Sequence, residues 1–155
     1  MNAPRHLGHR VRILSQAIRQ AIDRKLTDLD LTGQQSFILR YLSERKDEVV
    51  YPKDIEKRFN LTHPTVSGLL QRLESKGFLT CLPDPDDRRY KRIIPTEKAR
   101  ECQKQIWEHI QSMEAAMTAG MSETEVDTLV RLLDLAAQNL DVSLPNDCTK
   151  EECKP

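Results

Sequence analysis

Apolar residues recur at helical spacing through most of the chain, and the places where that period breaks divide it into elements. From residue 5 to about 28, Leu7, Val11, Leu14, Ile18 and Ile22 follow one another at intervals of four, three, four and four, which predicts a long amphipathic helix. Thr32 with Gln35 has the form of a capping box and opens a second helix that turns Phe37, Ile38, Tyr41 and Leu42 inward. The charged run 43–48 closes it, and Val49, Val50 and Tyr51 make a very short β-prone segment. Pro52 suits the first turn of a short third helix that buries Ile55 and Phe59, and Asn60 is placed for the left-handed residue that ends it. Thr62 then caps a fourth helix, with Pro64 in its first turn and Leu61 stapled onto Val66. Val66, Leu69, Leu70 and Leu73 form its apolar stripe and Gly77 terminates it. Two short helices joined by a tight turn are the pattern of a helix-turn-helix.

The period then changes. Residues 78–82 and 90–94 are β-prone runs joined by 83–89, which predicts a hairpin with a longish loop. Pro95-Thr96-Glu97 opens a fifth helix with Ile106, Ile110, Met113 and Met117 on its inner face. Ser122 with Glu125 is a second capping box, starting a sixth helix that repeats Val126, Leu129, Val130, Leu133, Ala137 and Leu140. The expected fold is mainly α with an α+β wing: a winged helix-turn-helix with long N- and C-terminal dimerisation helices, six helices and a two- to three-stranded wing. Residues 1–31 and 95–142 are expected to form a helical dimerisation region, 32–94 the winged helix-turn-helix, and 143–155 a flexible tail. The small central module cannot cover three long amphipathic faces. A second copy of the chain can, and a two-fold dimer suits a palindromic DNA site. A monomer with a larger helical core is the alternative.

Net charge is zero, with 24 basic and 24 acidic residues, but the charges are unevenly placed. Residues 1–52 carry an excess of +3 and 53–100 of +4, whereas 101–155 carry −7. The basic excess thus lies with the helix-turn-helix and hairpin, and the local field matters more than the sum. No apolar run approaches the roughly 20 residues of a membrane span, and the N-terminus lacks a secretory apolar segment. A cytoplasmic location without membrane contact is expected. Cys81, Cys102, Cys148 and Cys153 are scattered rather than arranged as a framework, which fits a reducing compartment. There is no Gly-rich phosphate loop, nucleophile motif or paired carboxylate site, so neither enzymatic activity nor a cofactor is expected. His6 and His9 lie at i,i+3 and His109 stands apart, without the converging ligands a metal requires.

The fourth helix shows Thr, Ser, Gly, Gln and Arg outward and can lie in a DNA major groove. The hairpin beside it carries Arg88 and Arg89 at its tip and can hold phosphates or enter the minor groove, unless these arginines merely solubilise the loop. DPDDRRYKRIIPTEKA, LTGQQSFILRYL and HPTVSGLLQRLESKGFL, in that arrangement of elements, resemble the multiple-antibiotic-resistance (MarR) family of bacterial transcription regulators over about residues 5–142. The resemblance implies that the wing pattern D-x-R falls on Asp87 and Arg89, the arginine reaching the minor groove and the aspartate orienting it. Recognition-helix positions then fall on Thr62, His63, Thr65, Ser67 and Gly68, with Arg72 near the phosphates. Pro95 departs from the family's usual wing strand and is expected to shorten it; Gly68 stands where a larger, often basic residue is common.

Hydroxyls such as Thr65 and Ser67 can reach base edges, or stand as ordinary exposed residues; His63 is placed for phosphate, base or solvent. Gly68 in mid-helix costs about 1 kcal/mol relative to alanine, which close approach of DNA would explain and a tolerated small residue would not contradict. Phosphate contacts by Lys53, Arg72, Arg88 and Lys91 would supply affinity that falls with salt. The family resemblance further implies repression relieved by a small aromatic or phenolic effector in a cleft, for which Ile13, Ala17, Phe37 and Tyr41 are the candidate lining, with ordinary core as their other reading. Redox or metal responsiveness and a protein-interaction role are the rival functions.

Overall fold

The structure, a computed structural model, describes residues 6–142; the expected tail with Cys148 and Cys153 lies outside them. The chain runs α1 (Leu7–Asp28), α2 (Gly33–Glu44), α3 (Pro52–Phe59), α4 (His63–Ser75), β1 (Leu79–Pro83), β2 (Lys91–Pro95), α5 (Glu97–Met117) and α6 (Glu123–Gln138). Two compact units divide it, residues 6–106 and 107–142.

The core of the first unit is assembled from short apolar stripes. Ile38, Leu39 and Leu42 of α2 and Ile55 of α3 are buried with Val66, Leu69, Leu70 and Leu73 of α4. Leu26, Leu31, Tyr41, Val50, Phe78, Leu79, Ile93, Ala99 and Cys102 belong to the same cluster. Each such aliphatic side chain contributes roughly 1.5–3 kcal/mol by leaving water. The reading of α2 needs one correction: Phe37 is 60% exposed, and Leu39 is buried in its stead. On a helix of 3.6 residues per turn, positions 35, 38, 39 and 42 share one stripe and residue 37 points to nearly the opposite side.

The predicted signals at the helix ends are present, with one exception. At Thr32 the hydroxyl accepts from Gln35 N–H and the Gln35 side chain accepts from Thr32 N–H, a closed capping box. Asn60 ends α3 with φ of 50°. Thr62 occupies the N-cap position of α4, but its hydroxyl pairs with that of Thr65 at 2.9 Å instead of a backbone N–H. Gly77 follows α4 with φ of 77°. There Phe78 N–H donates to Leu73 O and Gly77 N–H to Glu74 O, both at 2.9 Å, so the last carbonyls are satisfied while Phe78 folds back onto the core.

Each strand starts and ends one residue later than predicted. The antiparallel register pairs Leu79 with Pro95 and Pro83 with Lys91. Asp84 N–H donates to Tyr90 O at 2.8 Å and Thr96 N–H to Phe78 O at 3.0 Å. Counting inward from both, the pairs containing Pro83 and Pro95 fall at non-hydrogen-bonded positions. Neither proline costs the ladder a bond, so Pro95 ends β2 without shortening it, contrary to expectation. Ile93 N–H points away from β1 and donates to Val50 O at 2.9 Å, a third strand reduced to a single bridge.

In the second unit, Ser122 and Glu125 close another capping box at the start of α6. Ile110, Met113 and Met117 of α5 are half-buried, as is Val126. No α6 residue is fully buried, and Leu129, Val130, Leu132 and Leu133 are exposed. On α1, Leu7, Val11, Ile13 and Leu14 are likewise exposed.

Candidate nucleic-acid interface

Burial decides which face of α4 is displayed. With Val66, Leu69, Leu70 and Leu73 turned into the core, Thr65, Ser67, Gln71 and Arg72 stand in solvent and Gly68 is half-exposed. A Cβ placed on Gly68 would meet nothing within 4 Å. The helix therefore has no internal reason to tolerate glycine here. At the N-terminal end of α4, His63 is exposed and its Nδ1 lies 2.7 Å from Glu56 Oε1 of α3.

The wing is organised by carboxylates. Asp87 holds Arg89: Nη2 donates to Oδ2 at 2.6 Å, Nε to Oδ1 at 3.0 Å, and the Arg89 backbone N–H to Oδ1 at 3.1 Å. The Arg89 hydrogen bonds draw the Asp87 carboxyl below its ordinary pKa, and the same bonds raise that of the guanidinium. The Arg89 side chain is still 85% exposed, so this fork is oriented and accessible at once. Behind it, Asp84 is 6% exposed. Its Oδ2 accepts from the Tyr51 hydroxyl at 2.7 Å, and its Oδ1 from the backbone N–H groups of Asp86 and Asp87 at 2.9 and 3.3 Å. These bonds, the Tyr51 hydroxyl foremost, hold the Asp84 carboxyl below the usual range and push the Tyr51 phenol up.

Between α3, α4 and the wing runs a groove of about 960 Å³. Of the predicted DNA-contacting residues, Lys53, His63, Ser67, Arg89 and Lys91 line it. Arg88 is exposed at the wing tip and Arg72 on α4, while Thr62 and Thr65 flank the start of α4. Gln71, the glutamine read as outward on the fourth helix, lines it too, as do Lys57 and Tyr90, which sequence reasoning missed. Lys57 follows Lys53 by four residues, a spacing that places both on one helical face and was available as a signal. Tyr51, Glu56 and Asp84 were missed as well.

The four candidate effector residues fall in two kinds of place. Ile13, Ala17 and Phe37 are exposed on α1 and α2. Tyr41 is buried, with its ring edge-on to Phe59 at 5.8 Å and the Arg45 guanidinium 4.8 Å above it. The two thiols of the described residues, Cys81 and Cys102, are both pushed above their ordinary pKa by burial, Cys81 also by Glu74. Such thiols are poor nucleophiles at neutral pH.

Comparison with known proteins agrees with this geometry. The MarR family profile matches residues 29–89, from the start of the α1–α2 turn through the wing loop. An HTH-type transcriptional regulator of Bacillus subtilis strain 168, the uncharacterized YybA, is 22% identical over 130 residues, spanning 83% of this chain and 85% of that protein. The Staphylococcus aureus MepR–DNA complex superposes with a TM-score of 0.77 at 29% identity, over 83% of this chain and 96% of that one. MepR, a transcription regulator of the multidrug efflux pump MepA, also matches at 28% identity and a TM-score of 0.76, over 86% and 98% of the two chains. The haem sensor PefR of Streptococcus agalactiae shares the fold at 24% identity, with a TM-score of 0.65 over 88% and 95%. By sequence over residues 29–89 and by fold over most of its length, this chain is similar to the MarR family of winged helix-turn-helix transcription regulators.

Proposed function

We propose that the protein is a homodimeric repressor that binds a palindromic double-stranded operator and is released by a small-molecule ligand. The observation that carries the reading is the exposed, carboxylate-oriented Arg89 beside the outward face of α4, on one groove with Lys53, His63, Ser67 and Lys91. In the DNA-bound posture, Thr62, His63, Thr65, Ser67 and Gly68 face the major groove. Arg89, held by Asp87, enters the adjacent minor groove, where a narrow A·T-rich stretch concentrates negative potential. Lys53, Arg72, Arg88 and Lys91 neutralise phosphates and set the register.

Residues 1–31 and 95–142 form the dimer and 32–94 read the operator. The exposed apolar positions of α1 and α6 support this division, since each is too extensive to be left in water. A small aromatic or phenolic ligand, taken up near Ile13, Ala17, Phe37 and Tyr41, changes the separation of the two recognition helices. The pitch of DNA fixes the half-site spacing, so a shift of a few ångströms biases the dimer away from its operator. The setting of the reaction is the cytoplasm, and no catalytic step is involved.

A mobility shift on the DNA upstream of the protein's own gene tests this. Wild type retards the duplex, Arg89→Ala does so at higher protein concentration, and the difference is largest on A·T-rich flanks. A winged helix that serves protein assembly instead would leave the duplex unshifted at low salt, and Arg89→Ala would be silent. Adding salicylate-like compounds, peroxide or zinc to the same assay separates an aromatic effector from redox or metal control.

A further inference from the structure

The wing hangs from two consecutive residues, Val50 and Tyr51. Val50 C=O accepts from Ile93 N–H at 2.9 Å, which fixes the middle of β2 against the segment that leads into α3. Tyr51 reaches past it to the loop, where its hydroxyl donates to Asp84 Oδ2 at 2.7 Å across 33 residues of sequence. Its ring meets Tyr90 edge-on, with centroids 6.2 Å apart and planes at 70°. The carboxylate so held caps the loop from within, accepting from the Asp86 and Asp87 N–H groups, and Asp87 in turn grips Arg89. A continuous line of hydrogen bonds therefore links the first residue before α3 to the wing-tip guanidinium.

Nothing in the hairpin itself requires Tyr51. Asp84 N–H to Tyr90 O and Tyr90 N–H to Asp87 O close the loop by backbone alone. What those two bonds leave open is the angle of the loop against α3 and α4, because a two-stranded ribbon is free to twist and bend about its base. A buried carboxylate is expensive without its donors, and the tyrosine hydroxyl supplies one only while the loop lies against α3.

We propose that Tyr51 and Asp84 are positioning residues for DNA binding: their hydrogen bond locks the wing to the helix-turn-helix so that Arg89 and α4 address one duplex as a rigid pair. This rests on the reading of Arg89 as a DNA contact. Orienting a contact beforehand removes the ordering cost from the binding step. The lock therefore acts on affinity through the wing's cations, Arg89 foremost, which distinguishes it from a contribution to folding in general.

Tyr51→Phe is the selective probe, since it keeps the ring against Tyr90 and removes only the hydroxyl. Duplex affinity is measured by fluorescence anisotropy for wild type, Tyr51→Phe, Arg89→Ala and the double variant, with thermal melts of all four. Tyr51→Phe is expected to weaken binding roughly threefold to tenfold, the net worth of about one hydrogen bond. In the Arg89→Ala background the same change is expected to lose most of its effect. An equal loss in both backgrounds, or none in either, overturns the proposal. If Arg89→Ala alone leaves affinity intact, the DNA reading of the wing fails. Amide hydrogen exchange in the free protein then tests the lock by itself, because Tyr51→Phe must speed exchange at Asp86 and Asp87 while the α4 amides stay protected. Unchanged exchange at those two amides overturns the lock in its own right.

Discussion

Asp84 shows how much of this site depends on single carboxylates in chosen surroundings. Its folded pKa is lowered, by the Tyr51 hydroxyl first and the Asp86 amide next. A lowered pKa means that its contribution to stability is complete above the unfolded value of about 3.9 and is lost as pH falls through the lower folded value. Asp84→Asn should therefore melt below wild type by a constant margin from neutral pH down to about pH 5, and the margin should shrink below about pH 4. A margin that widens on acidification would show the opposite sign of coupling. Gly68 offers a second residue-level test. Its missing side chain leaves open space, so Gly68→Ala should gain about 1 kcal/mol in urea denaturation and, under the proposed docking of α4, lose operator affinity through the added methyl. Affinity that holds or rises would remove close approach as the reason for the glycine. Asp87 and Arg89 were legible in the sequence because they lie two residues apart in one motif. Tyr51 and Asp84 were not, since no periodicity reports a bond that spans 33 residues.

At the level of elements, signals confined to a few consecutive residues were read correctly. Thr32 with Gln35, Asn60, Gly77, and Ser122 with Glu125 all sit where a cap or turn was expected. Gly77→Ala tests one of them. A non-glycine residue at φ of 77° pays roughly 1–2 kcal/mol, so Gly77→Ala should lower stability by about that amount, measured by chemical denaturation, and Gly77→Asn by less. Equal stability of all three would mean that the turn after α4 is not constrained. The departures arose where tertiary pairing decides. Whether Pro95 breaks a strand depends on which pairs of the ladder are hydrogen-bonded, and that alternation is set by Asp84 with Tyr90 and Thr96 with Phe78. Thr62 carries the right residue type for a cap, yet Thr65 competes for its hydroxyl. Phe37 has the hydrophobicity of a core residue but the wrong angle on α2.

For the molecule as a whole, the account requires two copies of the chain. The exposed Leu129, Val130, Leu132 and Leu133 of α6 place the demand most plainly. Leu133→Glu should yield a monomer in sedimentation at concentrations where wild type is dimeric, with operator binding weakened in proportion. A variant that stays dimeric would move the interface elsewhere. The charge pattern, +3 and +4 over residues 1–52 and 53–100 against −7 beyond, puts the attraction for an anion within the first 100 residues despite a net charge of zero. The most direct measurement is therefore the salt dependence of binding to the upstream duplex, followed by anisotropy at known stoichiometry. Two chains per site are predicted, with log affinity falling linearly against log salt and a shallower slope for Arg89→Ala. A single chain per site, or no binding at low ionic strength, would contradict the account.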